Sequence, residues 1–341
     1  MQTADTPALS QPLATLADAV QLAAASTFGA ISGAEPAFLG PAIDRPCNGL
    51  VGVISYIGDI AWSLRLGLPR ETAVPLALKF AGFDIDYDSD DMSDVAGELA
   101  NVLAGDVVAQ LQQRGIDAQM SLPTVVRGTD LSLPLPDGQS AARLWFSTEE
   151  GDFWLTIVTT SLDLGDLARP EERRSMLHAY TEPQGSLILT LGDSVKDAVL
   201  ETFGAFLDPA PTYHGPSARG ACYTGIAGII SLVGEACWSL MLAFPPATAI
   251  PLAQKFAGFE IDFASPDMGD VIGELANVLA GDVSARLDTR GIKVQLSLPT
   301  IARGTDLQFP LLQGQTALRM DFSTADGPFW LMIAAANPGQ S

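Results

Sequence analysis

One thirteen-residue word occurs twice in this chain, DVAGELANVLAGD at residues 94–106 and DVIGELANVLAGD at residues 270–282, with a single position changed. A chain that spells one helix twice is constrained to build one supersecondary arrangement twice. At about 100° per residue, Asp94, Glu98, Asn101 and Gly105 fall within about 60° of one another and line one stripe. Val95, Ala96, Leu99, Ala100, Leu103 and Val107 fill the opposite arc, the one a helix must bury. The carboxylate and carboxamide are therefore expected to point out of the domain. The second copy repeats the stripe as Asp270, Glu274, Asn277 and Gly281.

The repeat extends well beyond this helix. Residues 13–31 read as a helix matched by residues 187–206, with Phe28 answering Phe203. After a Pro/Gly-rich stretch at 33–46, the runs VGVISYI and IAWSLRL flank Gly58-Asp59 as a tight hairpin would. GIISLV, Gly234-Glu235 and ACWSLML repeat them. A short amphipathic helix at 71–81 stops at Gly82 and returns at 247–258. Downstream of the signature helix, strands are expected at 116–124, 125–126, 131–135, 141–147 and 153–159, the last hairpin turning at 149–152, and the copy runs through 292–336. Pro123 and Pro299 interrupt strand-like text and mark an edge, a bulge or a strand end.

The layout is α+β: two tandem units, each a mostly antiparallel sheet packed against helices, at 13–160 and 187–337. A flexible leader (1–12) and a linker (161–186) with a Pro-Glu-Glu-Arg-Arg helix start flank and join them. Trp62 and Trp238 correspond and are expected in the core. Lys79 and Lys255 are expected to be solvated near a helix C-terminus, helped by the macrodipole.

Composition removes several function classes. The formal charge is -22, from 40 acidic against 18 basic residues, which repels a polyanion and leaves no basic track for phosphates. Nucleic acid is thus not expected as a partner. No basic-then-apolar leader is present, and the longest uncharged runs are short or broken by Pro245, Pro246 and Pro251, so a cytoplasmic protein without a membrane partner is expected. Cys47, Cys222 and Cys237 form no paired spacing and are expected as small core residues. His178 and His214 have no counterparts in the other half, so a His-activated nucleophile built into each copy is excluded.

The acidic run DIDYDSDDMSD at 84–94 lacks the sixth-position Gly and twelfth-position Glu of a calcium loop; its aspartates suit a helix N-cap and first turn. Dinuclear carboxylate sites use Glu-x-x-His, and here the fourth residue is Asn. A glycosidase needs two carboxylates facing across a cleft, whereas Asp94 and Glu98 share one helix.

A Glu and an Asn three residues apart on an exposed face are, by residue type, most often simply solvated. The small residues Gly97, Ala100, Ala104 and Gly105 lie beside the stripe and would let another surface approach the backbone. Phosphoryl transfer to water on a partner protein uses both polar types. The carboxamide, acceptor and donor at once, can hold a water in line with phosphorus, and the carboxylate can pair with a cation on the partner.

The pattern Asp94-x-x-x-Glu98-x-x-Asn101 followed by Pro123, repeated as Asp270, Glu274, Asn277 and Pro299, resembles the signature of the CheC, CheX and FliY phosphatases of bacterial chemotaxis. The words GELANVLAG and SLPTVVRG resemble CheX in particular. The resemblance implies hydrolysis of the aspartyl phosphate on a CheY-like receiver domain. Glu98 and Glu274 would pair with the receiver's lysine and Asn101 and Asn277 would orient the water. No cofactor of the chain's own is implied, the magnesium belonging to the receiver. Asp94, Asp270, Pro123 and Pro299 would cap helices and shape strands.

CheC-type members carry a second Glu-x-x-Asn on the first helix; here those places hold Leu22 and Ala25, and Asp197 and Leu200, which leaves one site per copy. CheX-like proteins are similar to one another in dimerising, so the tandem is expected to form an internal pseudo-dimer, with further association open. The alternative is an adaptor that docks on a receiver, or on the chemotaxis and flagellar machinery, without catalysis.

Overall fold

The structure, a computed structural model, describes residues 11–41, 46–160, 184–217, 222–234 and 237–336. The first half runs α1 (Gln11–Ser32), β1 (Ala37–Pro41), β2 (Cys47–Gly58), β3 (Trp62–Pro69), α2 (Arg70–Ala81), α3 (Asp90–Gln112), β4 (Ala118–Met120), β5 (Thr124–Ser132), β6 (Gln139–Thr148) and β7 (Gly151–Thr160). The second repeats that order as α4 (Gln184–Gly204), β8 (Thr212–Ser217), β9 (Tyr223–Gly234), β10 (Trp238–Phe244), α5 (Pro246–Ala257), α6 (Pro266–Asp288), β11 (Val294–Leu296), β12 (Thr300–Gln308), β13 (Gln315–Thr324) and β14 (Gly327–Ala336).

All strands join one sheet in the order β1-β6-β7-β3-β2-β5-β12-β9-β10-β14-β13-β8, with β4 and β11 pairing onto β2 and β9. The pairs are antiparallel. The order is a palindrome centred on β5–β12, where Arg303 faces Ser132, Thr305 faces Thr129 and Gln308 faces Arg127. Arg127 and Arg303 are repeat counterparts, as are Ser132 and Gln308, so exchanging the halves maps this seam onto itself. That is the isologous geometry of a two-fold dimer, made within one chain. Asp130 (φ 48°) and Asp306 (φ 50°) take the left-handed conformation where the seam's register shifts, a strain aspartate tolerates better than branched residues.

Each half packs its helices on one sheet face. Leu16, Val20, Ala24 and Phe28 of α1 and Leu99, Leu103 and Val107 of α3 are buried against Leu50, Ile54 and Trp62, and the second half repeats this core. The other face carries a separate apolar layer shared between the halves, including Val51, Val53, Val126 and Leu131 with Ala227, Ile229, Met241 and Trp330. Strands β2 and β9, covered on both sides, therefore read as nearly unbroken apolar runs rather than alternating ones. The outer edges are short: β1 carries a register shift and ends at Pro41, and β8 contains Pro216, devices that discourage further strand pairing.

Several expectations change on inspection. The stretch 33–46 contains edge strand β1, and its counterpart forms β8. Residues 131–135 are not a separate strand; β5 runs unbroken to Ser132, and residues 133–138 leave the sheet as a loop. Residues 1–10 of the expected leader and 161–183 of the expected linker, with its Pro-Glu-Glu-Arg-Arg start and His178, lie outside the described residues, while 11–12 and 184–186 are helical. Trp62 and Trp238 are buried as expected. The cysteines are less buried than expected: Cys47, packed against the shared apolar layer, and Cys237 are half-buried, Cys222 is exposed, and none forms a disulfide. The segment 13–32 is long and apolar enough to cross a membrane by length and composition alone, and its apolar side is packed into the first core.

Candidate functional site

The signature helices α3 and α6 are fixed from three sides. Ser89 caps α3, its Oγ accepting from Met92 N at 3.3 Å, and Ser265 caps α6 through Met268 N at 3.4 Å. The capping expected of the acidic run thus falls to a serine, with Asp90 and Asp91 in the first turn where the helix dipole favours them. Arg127 on β5 donates through Nη1 to Tyr87 O (2.9 Å) and Ser89 O (3.2 Å), and Arg303 on β12 does the same to Phe263 O and Ser265 O. Below, α3 lies close on β2: a Cβ on Gly52 would stand 2.9 Å from Ala100 Cβ, and Gly228 repeats this against Ala276. Ala104 faces inward too, its carbonyl accepting from Tyr56 Oη at 3.3 Å.

This seating turns the polar stripe outward. Glu98 and Glu274 are exposed and Asn101 and Asn277 half-buried. Among the described residues none of these four side chains has a hydrogen bond or ion pair. Beside them Val102 and Val278 are 40% and 43% exposed, unusual for valine in a helix otherwise well packed. The positions of a second Glu-x-x-Asn on the first helices hold exposed Leu22 and Asp197, so each half presents one such pair.

Asp94 and Asp270 behave differently. Asp94 Oδ1 accepts from Gln313 N at 2.6 Å, and Asp270 Oδ1 accepts from Asp137 N at 2.7 Å. Each aspartate, one turn before the Glu, therefore latches a loop of the sister half instead of capping its own helix. Burial raises both carboxyls above the usual range, partly opposed by the amide each accepts. Pro123 and Pro299 stand just before β5 and β12, and their carbonyls accept from Gln315 Nε2 (3.1 Å) and Gln139 Nε2 (3.2 Å), again across the halves.

The small residues are divided in the same way. A Cβ on Gly97 would meet Leu312 Cδ1 of the sister loop at 2.5 Å, and one on Gly273 would meet Pro136 Cγ at 3.2 Å. Of the glycines on these two helices, Gly105 and Gly281 are the ones where a Cβ would meet nothing within 4 Å. The expectation that all four small positions admit an outside surface is thus corrected: two face the sheet, one takes the sister loop and one is free.

The remaining candidates resolve structurally. Lys79 pairs with Glu150 at 3.6 Å and Lys255 pairs with Asp326, so neither is merely solvated. Glu150 also accepts from Ser32 Oγ at 2.7 Å. His214 meets Ser323 Oγ at 2.7 Å, away from the signature helices in sequence and on edge strand β8. No group of three or more His, Cys, Asp or Glu with metal-site geometry occurs among the described residues. Sequence reading missed Arg127, Arg303, Gln139 and Gln315; their recurrence in the repeated words RGTDL and GQ was the available signal.

The family model for the chemotaxis phosphatase CheX matches residues 50–147 and again 226–323, more than half of the chain. The chain belongs to the CheX family. Both CheX matches start inside β2 or β9 and end inside β6 or β13, so each includes one signature helix and one seam strand. No curated protein matches the chain. Among solved structures it is similar to a CheC-like superfamily protein from Shewanella sp. PV-4 (20% identity, TM-score 0.39, covering 42% of this chain and 96% of that one). It is also similar to a chemotaxis protein CheX from Desulfovibrio desulfuricans (20%, 0.38, 42% and 97%). A third is the CheX–CheY–BeF3–Mg2+ complex from Borrelia burgdorferi (18%, 0.35, 42% and 96%).

Proposed function

We propose that this CheX-family chain is a cytoplasmic phosphatase that hydrolyses the aspartyl phosphate of a CheY-like receiver domain, with one site on α3 and one on α6. The observation that carries the reading is the pair Glu98 and Asn101, duplicated as Glu274 and Asn277: outward, free of intramolecular bonds, on rigid helices. A polar pair left unbonded on a braced element is placed to bond something else.

In this reading Glu98 or Glu274 forms a charge-assisted bond to the receiver's lysine and fixes the helix over the phosphorylated pocket. The carboxamide of Asn101 or Asn277 then holds a water in line with phosphorus. Water oxygen bonds to phosphorus as the phosphorus–oxygen bond to the receiver aspartate breaks, releasing phosphate and a free carboxylate, while the water's proton leaves to solvent. A hundredfold acceleration requires about 2.7 kcal/mol, within reach of positioning alone. The stripe does not fit a cation site of its own, because Asp94 and Asp270, its only other carboxylates, are committed to the sister loops. The divalent ion of the reaction is assigned to the receiver.

The test is phosphate decay on a panel of phosphorylated receivers. Glu98→Ala with Glu274→Ala, or Asn101→Ala with Asn277→Ala, should abolish the acceleration while far-UV circular dichroism stays unchanged, since the glutamates are exposed, the asparagines only half-buried, and none of the four side chains bonds within the chain among the described residues. Full acceleration by the quadruple variant would overturn the assignment. Tight binding with unaltered decay would mark an adaptor instead.

A further inference from the structure

Each signature helix is walled on one side by a loop from the other half. Residues 309–314 lie against α3, with Leu312 over Gly97 and Gln313 N on Asp94; residues 133–138 lie against α6, with Pro136 over Gly273 and Asp137 N on Asp270. The stripes themselves are identical, Asp-Glu-Asn-Gly in both copies. The loop tips are not. The exposed residue at the α3 site is the neutral Gln313, and its counterpart at the α6 site is the anionic Asp137. Asp270 lies one helical turn, about 5–6 Å, from Glu274, so the tip stands within a turn or two of the outward pair. Beside burial, Asp137 and Asp267 raise the proton affinity of Asp270, whereas at Asp94 that part is played by Asp91 and Asp90 of its own helix and Gln313 adds no charge.

We infer that each site is composite, built from both halves, and that the sister-supplied tip residue, Asp137 or Gln313, is a specificity-determining residue that makes the two sites differ in the receivers they engage. The substrate class here rests on the phosphatase reading above. At the α6 site the tip supplies a carboxylate about one helical turn from Glu274, by way of Asp270, and favours receivers whose phosphorylated pocket is rimmed by lysine or arginine; at the α3 site the tip supplies none, and the acidic neighbours of Asp94 are Asp90 and Asp91 of α3 itself. Both tips hold their latch through the backbone N–H, so exchanging their side chains changes charge without removing the contact.

The experiment uses full-length single-site proteins, Glu98→Ala/Asn101→Ala to leave the α6 site and Glu274→Ala/Asn277→Ala to leave the α3 site. The probes are a beryllofluoride-activated CheY-like receiver with a basic rim and its variant with one rim lysine changed to Gln. Hydrolysis of the phosphorylated forms is followed in parallel. Asp137→Gln at the α6 site should weaken binding about two- to fivefold, and Gln313→Asp at the α3 site should tighten it by a similar factor. Both effects should appear in KM rather than kcat, shrink with the Gln-rim receiver and fade in high salt. Silent exchanges, or shifts of the same sign at both sites, with binding and hydrolysis intact would overturn this inference and leave the phosphatase reading standing. Opposite shifts in affinity without hydrolysis would overturn the catalytic reading and keep the inference. No binding by either single-site protein would overturn both.

Discussion

Asp94 illustrates how one residue can belong to a motif by spacing and to an interface by contact. Its carboxyl, raised by burial, holds its proton more tightly in the folded chain than in the unfolded one. The stability linked to that proton is complete below the unfolded-state value and is lost as pH rises through the folded value. Asn offers the same acceptor to Gln313 N without a charge to desolvate. In urea titrations, wild type should therefore lose ground to Asp94→Asn as pH climbs through the carboxylate range, the variant lying within about 0.5 kcal/mol of wild type or above it at neutral pH. Asp94→Ala, which deletes the acceptor, should cost about 1 kcal/mol. An Asp94→Asn protein that is destabilised more as pH rises would contradict the burial argument.

At the scale of the element, α3 contains glycines that helix propensity disfavours, and the structure separates their reasons. Gly97 makes room for Leu312 of the sister loop, whereas a Cβ on Gly105 or Gly281 meets nothing within 4 Å. Gly105→Ala and Gly281→Ala should each raise stability by about 0.5–1 kcal/mol, seen as a higher Tm. Gly97→Ala should show no such gain, because Leu312 must move. If all three substitutions stabilised equally, the sister loop would not be pressing on α3 as described. The open glycines extend the stripe past Asn101, where a docking surface would come closest to the helix backbone.

Taken whole, the molecule is one continuous sheet with two helix-covered cores and a third apolar layer common to both halves. Neither half can lose that layer without exposing apolar surface in the other, so unfolding should be a single transition. Leu131→Ala, at a position 1% exposed in the shared layer, should cost about 2–5 kcal/mol and shift fluorescence and far-UV circular dichroism curves together in urea. A biphasic curve with one phase unmoved would show that the halves fold independently.

The sequence alone determined everything that depends on local periodicity. The buried arc of the signature helix, its outward Glu and Asn, the hairpin at Gly58, the helix stop at Gly82 and the duplication of all of these are consequences of what neighbouring residues can do along one element. What the tertiary structure decided is which groups on a shared stripe stay free. By spacing, Asp94 and Gly97 look like partners of Glu98 and Asn101; contact with residues 309–314 removes the first two from the site and leaves the others open. The same limit explains the misread strand at 131–135. Leu131, Leu133 and Leu135 alternate as a strand would, yet after Ser132 the chain departs to grip the sister helix, because alternation in sequence reports that residues can be buried and not what will cover them.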